Sequence, residues 1–174
     1  TMEAWVKFND FDYSYNIMQK KNVWNSVGYG IYMHTNGDLI FEAGEDDGGY
    51  IQRGSTSVID NSIDKDTWVF LTITHDAAAE EIKWYKNGDW KQTKSSGAHW
   101  NGGPIGTNTL PLSIGFGEGG STSGGHFSGI IDEPKVYSRA LTLSEIKKNW
   151  KASKSKHKDN TVSNWSDDFT NDFI

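Results

Sequence analysis

Residues 127–150, FSGIIDEPKVYSRALTLSEIKKNW, join an extended run to a short helix and constrain the fold more than any other stretch. Gly129–Tyr137 is rich in apolar side chains and predicts a β-strand. Thr142 and Glu145 have the spacing of a capping box, in which each side chain accepts a hydrogen bond from the backbone N–H of the other residue. We therefore predict a strand, a polar turn and a capped helix in this order. The side chains expected near one face of that helix are Leu143, Ile146 and Trp150.

Short alternating runs between turn-rich clusters predict β-structure for the rest of the chain. The 174 residues include 19 Gly, and Asn, Asp, Ser and Thr cluster between the apolar runs. In Trp68–His75, both alternating sets of side chains suit burial, as in a strand of a sandwich. A two-residue hairpin turn is predicted at Asn36-Gly37-Asp38. The predicted strands are Thr1–Phe8, Tyr15–Lys20, Gly28–His34, Leu39–Ala43, Tyr50–Ser55, Ser57–Ile59, Trp68–His75, Glu81–Lys86, Trp90–Lys94 and a run with Leu110, Leu112, Ile114 and Phe116 alternating.

Three stretches resemble a known family. The run GIIDEPKVYSRALTLSEI, from Gly129 to Ile146, is similar to the closing motif of LamG-type jelly-roll domains of the concanavalin A-like lectin/glucanase superfamily. Thr1–Phe8 and Thr67–Gly88 resemble its early strand and its central hairpin. The resemblance implies an all-β fold, a two-sheet antiparallel jelly-roll sandwich with a short C-terminal helix, over residues 1–150. Pro134 lacks a ladder donor and predicts either an edge position for its strand or an early end to the pairing there.

The composition changes after Trp150. Lys151–Lys158 is basic and predicts a solvated linker, whereas residues 159–174 carry four Asp, no basic residue and several large apolar side chains. The family usually has a further strand ahead of the one that resembles Thr1–Phe8. Two readings of the tail, residues 151–174, remain open: it folds back over the sheet edge where that strand would pair, or it leads to a neighbouring domain.

Charge and composition exclude several classes of function. In residues 1–146 acidic side chains outnumber basic ones by eight, which argues against nucleic acid as the main partner. No run approaches the roughly 18 apolar residues of a membrane helix. The absence of Cys excludes disulfides, thiolate metal sites and cysteine nucleophiles.

A catalytic carboxylate pair is not found. Glucanases of this fold carry carboxylates at alternating positions of one strand, so that both lie on one face. The pairs Asp132-Glu133 and Glu80-Glu81 and the run Glu45-Asp46-Asp47 are adjacent in sequence and would point apart in an extended chain. We therefore expect a protein that is not an enzyme.

Calcium is the expected cofactor, in a structural role. The resemblance implies Asp132 as the best single ligand. An independent candidate is the acidic loop GEDDGG, with Glu45, Asp46 and Asp47, because Ca²⁺ accepts carboxylate and carbonyl oxygens from loops. The alternative for this loop is an ordinary solvated turn. The five His show no metal-ligand spacing.

Sugar recognition needs exposed aromatic planes beside polar side chains, and loops at the end of a sandwich can supply both. Trp5, Trp68 and Trp84 lie on predicted strands and are expected in the core. Trp24 and Trp100 are expected either to bind ligand or to cap the end of the sandwich. The candidate ligand-binding residues are Trp24, Asn25, Tyr50, Arg53, Trp90, His99, Trp100 and Asn101.

The family resemblance and the aromatic-rich loops together favour a non-catalytic, lectin-like carbohydrate-binding module. The expected partner is a polysaccharide or glycan, and the expected setting is a monomeric module of a larger extracellular or cell-surface protein. The alternatives are a protein–protein adhesion module and, third, a glucanase-like glycoside hydrolase.

Overall fold

The computed structural model describes residues 1–13, 15–21, 27–35, 37, 39–44, 54–55, 63–95, 104–116 and 126–158, with only the backbone of 54–55 described. These residues form ten strands and one helix. The elements are β1 (Met2–Phe8), β2 (Tyr15–Lys20), β3 (Gly28–Met33), β4 (Leu39–Gly44), β5 (Gly54–Ser55), β6 (Trp68–Asp76), β7 (Glu81–Lys86), β8 (Asp89–Ser95), β9 (Ser113–Ile114), β10 (Gly129–Val136) and α1 (Leu143–Ser153).

The strands make two antiparallel sheets. The first sheet has the order β10-β1-β6-β7-β8, and the second has the order β5-β4-β3-β2-β9. The prediction of an all-β, two-sheet antiparallel sandwich with a short C-terminal helix is confirmed. Pro134 lies on β10, which forms an edge of the first sheet, as its missing N–H predicts.

The core lies between the inner faces of the two sheets. Alternation along β1 sends Met2, Ala4, Val6 and Phe8 into it, all less than 5% exposed. The cluster is continuous from one sheet to the other and consists of Met2, Ala4, Val6, Phe8, Ile17, Met18, Ile31, Met33, Leu39, Phe41, Ala43, Ile63, Val69, Leu71, Ile73, Ile82 and Trp84.

Helix α1 covers the outer face of the first sheet. Its capping box forms as predicted: the amide of Glu145 donates to the hydroxyl of Thr142, and the Glu145 carboxylate accepts from the amide of Thr142 at 2.8 Å. Ile146 is fully buried and packs with Tyr85 and Leu141. Of the expected helix face, Trp150 is half-buried but Leu143 is exposed, because the sheet contacts only a narrow stripe of the helix.

Three local expectations differ from the structure. The run with Leu112, Ile114 and Phe116 forms only the two-residue strand β9, because Pro111 lacks an N–H and Gly115 has a φ of +69°. The three apolar side chains are exposed.

The connection between β3 and β4 is longer than a two-residue turn, because the register pairs Met33 with Leu39. Two of its predicted turn residues, Asn36 and Asp38, lie outside the described residues.

The basic segment after Trp150 continues the helix to Ser153 rather than forming a solvated linker, and His157 beyond it is buried. The division of the chain at residue 150 stays a prediction, and residues 159–174 lie outside the described part. At eleven residues, α1 is too short to cross a bilayer, and the described part of the chain contains no helix that could.

Candidate functional site

The outer face of the second sheet carries a polar row. Glu42 on β4 pairs across the sheet with Gly30 on β3, and Gly30 pairs with Gln19 on β2. The adjacent residues Ile31 and Phe41 face the core, so alternation turns Gln19 and Glu42 away from it.

A charged cluster occupies this face. The ammonium of Lys21 donates to Glu42 Oε2, and the hydroxyl of Tyr32 donates to Glu42 Oε1 at 2.8 Å. Lys21 is 6% exposed and Glu42 is 3% exposed. An ion pair at this depth stabilises a fold little compared with apolar side chains of the same volume. We name Gln19, Lys21, Tyr32 and Glu42 the Glu42 cluster. Because Gln19, Lys21 and Glu42 are buried, the cluster is an internal ion-pair network rather than a surface open to a ligand.

Gly30 keeps the space between Gln19 and Glu42 open. A Cβ at Gly30 would lie 3.0 Å from the Cβ of Gln19, which is closer than side chains normally approach. A larger residue there would push on Gln19 and fill the middle of the polar row. The glycine therefore makes room for the Gln19 side chain within this buried row.

Trp90 on β8 is the candidate ligand-binding residue that the structure places at the surface. Its side chain is 55% exposed, and β8 forms an edge of the first sheet. It pairs with Tyr85, whose side chain packs under α1, so Trp90 also lies on the outer face of that sheet. The indole N–H donates to the hydroxyl of Thr93 at 3.1 Å. Because this polar group already has a partner, the flat ring face is what Trp90 offers to a ligand.

A second cluster of polar side chains is centred on Asp132 of β10. Its Oδ2 lies 2.8 Å from Nε2 of His157, and this hydrogen bond is the main reason that the pKa of Asp132 lies below its ordinary value. Glu133 accepts from Lys156 at 3.0 Å and from Lys135 at 3.3 Å. The bond from Lys156 is the largest cause of the lowered pKa of Glu133.

Asp132 and Glu133 do not point apart as adjacent residues of a regular strand would. The register between β1 and β10 shifts here, and Glu133 has a φ of +46°, so the strand is bulged. Ligand atoms of Asp132, Glu133 and His157 all lie within 4.8 Å of one another. This donor set has a ring nitrogen and two nearby ammonium groups and lacks the six to eight oxygens of a Ca²⁺ site. The cluster as it stands differs from a Ca²⁺ site, and calcium binding at Asp132 stays a prediction.

The other candidate site residues lie outside the described part of the chain. For ligand binding these are Trp24, Asn25, Tyr50, Arg53, His99, Trp100 and Asn101, and for metal binding they are Glu45, Asp46 and Asp47. Trp5 and Trp84 are buried and Trp68 is half-buried, in line with their expected packing role.

The Glu42 cluster was missed at the sequence level because no motif marks it. Its members come from two strands and the end of a third, and only the register brings them together. The signal available in the sequence was the alternation in MQKK and IFEAG, which places Gln19, Lys21 and Glu42 opposite the apolar positions.

A two-sheet sandwich closed by a capped helix, with a polar outer face and an exposed indole, has the architecture of a lectin-like domain. Residues 1–147 match the family model of the concanavalin A-like lectin/glucanases superfamily, and the chain belongs to that family. No curated protein matches the chain by sequence.

Solved structures with the same fold include proteins described as carbohydrate-binding. A candidate carbohydrate-binding protein from Bacteroides ovatus has a TM-score of 0.64 and 19% identity, over 84% of this chain and 39% of that one. The CBM40 of the Ruminococcus gnavus IT-sialidase, bound to α2,3-sialyllactose, has a TM-score of 0.63 and 16% identity, over 85% and 80%. The leech intramolecular trans-sialidase has a TM-score of 0.62 and 18% identity, and the match covers 84% of this chain but only 22% of that one. At these identities the likeness shows the fold alone.

Proposed function

We propose that this domain is a non-catalytic carbohydrate-binding module of a larger extracellular or cell-surface protein. The observation that carries the proposal is Trp90, a large aromatic ring exposed on an edge strand with its N–H satisfied by Thr93. Such a ring can stack on the C–H face of a sugar. The carbohydrate-binding descriptions of the B. ovatus protein and of CBM40 support the same ligand class.

The Glu42 cluster supports binding rather than hydrolysis. Glycoside hydrolysis by this fold needs two carboxylates on one face. Glu42 is the only acidic residue in the described strands β2, β3, β4 and β9 of the second sheet, and it is held by Lys21. A single carboxylate that is buried and ion-paired cannot supply both the acid and the base of such a mechanism, so the described strands of this sheet favour a non-catalytic role.

The test is a glycan-array and polysaccharide pull-down screen of the domain, run with Ca²⁺ and again with EDTA. We expect a glycan to bind, and Trp90→Ala to weaken that binding at least about tenfold, since a central Trp contact is commonly worth about 2 kcal/mol. Tyr13→Ala is the matched control, because Tyr13 is also an exposed aromatic residue and is not on β8. Equal loss in both variants, or release of reducing sugar by the wild type, would contradict the proposal. Loss of binding in EDTA would support the calcium binding predicted from the sequence and make Asp132 the next variant.

Protein adhesion is the second candidate, and one observation favours it. Ile114 lies on the edge strand β9, Leu112 and Phe116 flank that strand, and each of the three is between 41% and 45% exposed. An apolar stripe at a sheet edge can pair with another chain. A partner captured without any glycan signal, and lost in Ile114→Ser but not in Trp90→Ala, would favour this function.

A further inference from the structure

The charge of the domain is segregated, and its basic part lies on the second half of α1 and the segment that follows it. Residues 147–158 contain six Lys and no acidic residue, whereas acidic side chains outnumber basic ones in residues 1–146. Lys148 and Lys151 are exposed, and neither has an ion-pair partner among the described residues. The solvent side of the helix is therefore a positive surface on an acidic protein.

This surface has a shape as well as a charge. A shallow depression runs along the helix, with three lysines beside three small or apolar side chains. Its lining residues are Leu143, Ser144, Lys147, Lys148, Lys151 and Ala152. Lys148 and Lys151 are three residues apart, so their backbones are separated by about 4.5 Å along the helix axis. We name these six residues the basic helix surface.

Helix stability does not explain this arrangement fully. A lysine in the last turn, such as Lys151, interacts favourably with the helix dipole. Lys147 and Lys148 lie before that turn, and like charges three or four residues apart on one helix repel each other. The concentration of lysines therefore has a small cost to the isolated helix that an anionic ligand would remove.

The basic helix surface adjoins the strand that carries Trp90. Asp89, next to Trp90, lies 3.7 Å from the ammonium of Lys147. The tight turn between β7 and β8 packs on the same helix, because a Cβ at Gly88 would lie 3.1 Å from the ring of Trp150. A polymer stacked on Trp90 could therefore continue along the helix.

We propose that the basic helix surface binds an acidic polysaccharide, one that carries uronate or sulfate groups, with Lys148 and Lys151 contacting its anionic groups. This inference rests on the proposed glycan-binding function and adds the chemical class of the glycan. A nucleic acid is the less favoured occupant, because the acidic body around the helix repels a densely charged polyphosphate.

Binding to polygalacturonate, to neutral galactan and to a 20-base-pair DNA duplex tests the proposal. The domain is compared with Lys148→Glu and Lys151→Glu. Lys65→Glu is the matched control, since Lys65 is exposed, lies outside the helix and gives the same change in net charge. We expect polygalacturonate to bind more tightly than galactan, and to weaken about tenfold in each helix variant and less than twofold in the control. We also expect its binding to weaken as salt rises.

The outcomes separate the two proposals. One outcome is that galactan binds as tightly as polygalacturonate, that the two helix variants bind as the wild type does, and that Trp90→Ala weakens binding of both polysaccharides. The acidic class is then wrong, and the glycan-binding function stands. If neither polysaccharide binds but the glycan array identifies a neutral glycan, the acidic class is wrong and the glycan-binding function stands; if the array identifies no glycan either, both proposals fail. Binding of DNA alone, lost in the helix variants, would overturn both proposals in favour of a nucleic-acid surface.

Discussion

The imidazole of His157 stacks on the indole of Trp5, with ring centroids 4.2 Å apart and planes 9° from parallel. The ring of Trp68 lies at a steep angle to the same imidazole, with planes 74° apart and ring centroids 4.8 Å apart. Nδ1 of His157 lies 3.0 Å from the carbonyl oxygen of Ser153, and Nε2 lies 2.8 Å from Asp132. These contacts fasten the segment after α1 to the outer face of the first sheet.

Replacement of His157 by Ala should destabilise the domain. The stacked pair contributes about 0.5–1.5 kcal/mol beyond its buried area, and the hydrogen bond to Asp132 adds about 1 kcal/mol, so a loss of about 2 kcal/mol is expected. Urea denaturation measures the free energy of unfolding. Lys158→Ala is the control, because this neighbouring side chain is exposed and should change stability by less than about 0.5 kcal/mol. Equal stability of the two variants would mean that the segment is not fastened in solution.

The carboxyl group of Glu145 should titrate far below an ordinary Glu. The guanidinium of Arg139 donates to both of its oxygens, at 2.7 and 2.9 Å, and the Thr142 amide donates at 2.8 Å. These bonds lower the pKa of Glu145 from 4.5 to about 2. Because the folded pKa is depressed, the resulting stability is present above pH 4.5 and is lost as the pH falls through about 2.

An NMR titration of the Glu145 side chain checks this value. Arg139→Gln should move the midpoint back toward 4.5, since it removes the largest cause of the shift. Lys147→Gln is the control, because Lys147 lies on the same helix and pairs with Asp89 instead. A midpoint near 4 in the wild type would show that the two hydrogen bonds from Arg139 to Glu145 do not persist in solution.

Sequence patterns predicted the elements whose information is local. Strands β2 and β7 have the predicted boundaries, Tyr15–Lys20 and Glu81–Lys86, because alternating side chains and flanking turns define both ends. The capping box at Thr142 was predictable for the same reason, since its two residues are three positions apart.

Features that depend on distant partners were not predictable. Lys151–Lys158 has the composition of a linker, but His157 is buried because Trp5, from the first strand, supplies a surface for its ring. The bulge at Glu133 likewise follows from pairing with β1, and it brings Asp132 and Glu133 together where a regular strand would separate them.

The candidate site was predictable only in part. Trp90 follows a hairpin turn, and its exposure agrees with that position. The Glu42 cluster depends on the register of three strands, and no short window of the sequence contains both Lys21 and Glu42. Register is a property of the folded sheet, so side chains that meet only through it carry no local signature.

Glu3 should make the domain less stable as the pH rises. Its side chain is fully buried under α1, and burial raises its pKa above 4.5 despite hydrogen bonds from Asn149 at 2.8 Å and Thr72 at 3.3 Å. A raised folded pKa means that the contribution of Glu3 is fully present below pH 4.5 and is lost as the pH rises through the folded value. We therefore expect the stability of the wild type relative to Glu3→Gln to fall as the pH rises from 4 to 8.

Urea denaturation across this pH range gives the difference directly. The control is Asp89→Asn, because Asp89 is exposed and has only a distant ion pair with Lys147. Its stability should follow that of the wild type at every pH. A difference between the wild type and Glu3→Gln that does not change with pH would show that Glu3 has the same pKa in the folded and unfolded chains.

Lys21 and Glu42 should show a strong energetic coupling. Either Lys21→Met or Glu42→Leu alone leaves a buried charge without its partner, which commonly costs about 3–5 kcal/mol. The double variant removes both charges and should cost far less than the sum, within about 2 kcal/mol of the wild type. Tyr32→Phe is the control, because it removes one hydrogen bond to Glu42 and should cost about 1 kcal/mol. Single variants that each cost under about 1 kcal/mol would show that the pair is solvated.

The folded double variant also separates a structural role of the Glu42 cluster from a role in recognition. A pair kept only for stability can be replaced by apolar side chains without loss of ligand binding. A pair kept for recognition cannot, because its hydrogen-bonding groups on the outer face of the second sheet are gone. We expect Lys21→Met/Glu42→Leu to fold cooperatively in urea and to bind the glycan identified with the wild type within about twofold, because the pair is buried and lies on the opposite side of the sandwich from Trp90. Binding at least about tenfold weaker in the folded double variant would give the second sheet a part in recognition. Unchanged binding by this variant would confine recognition to the surface around Trp90.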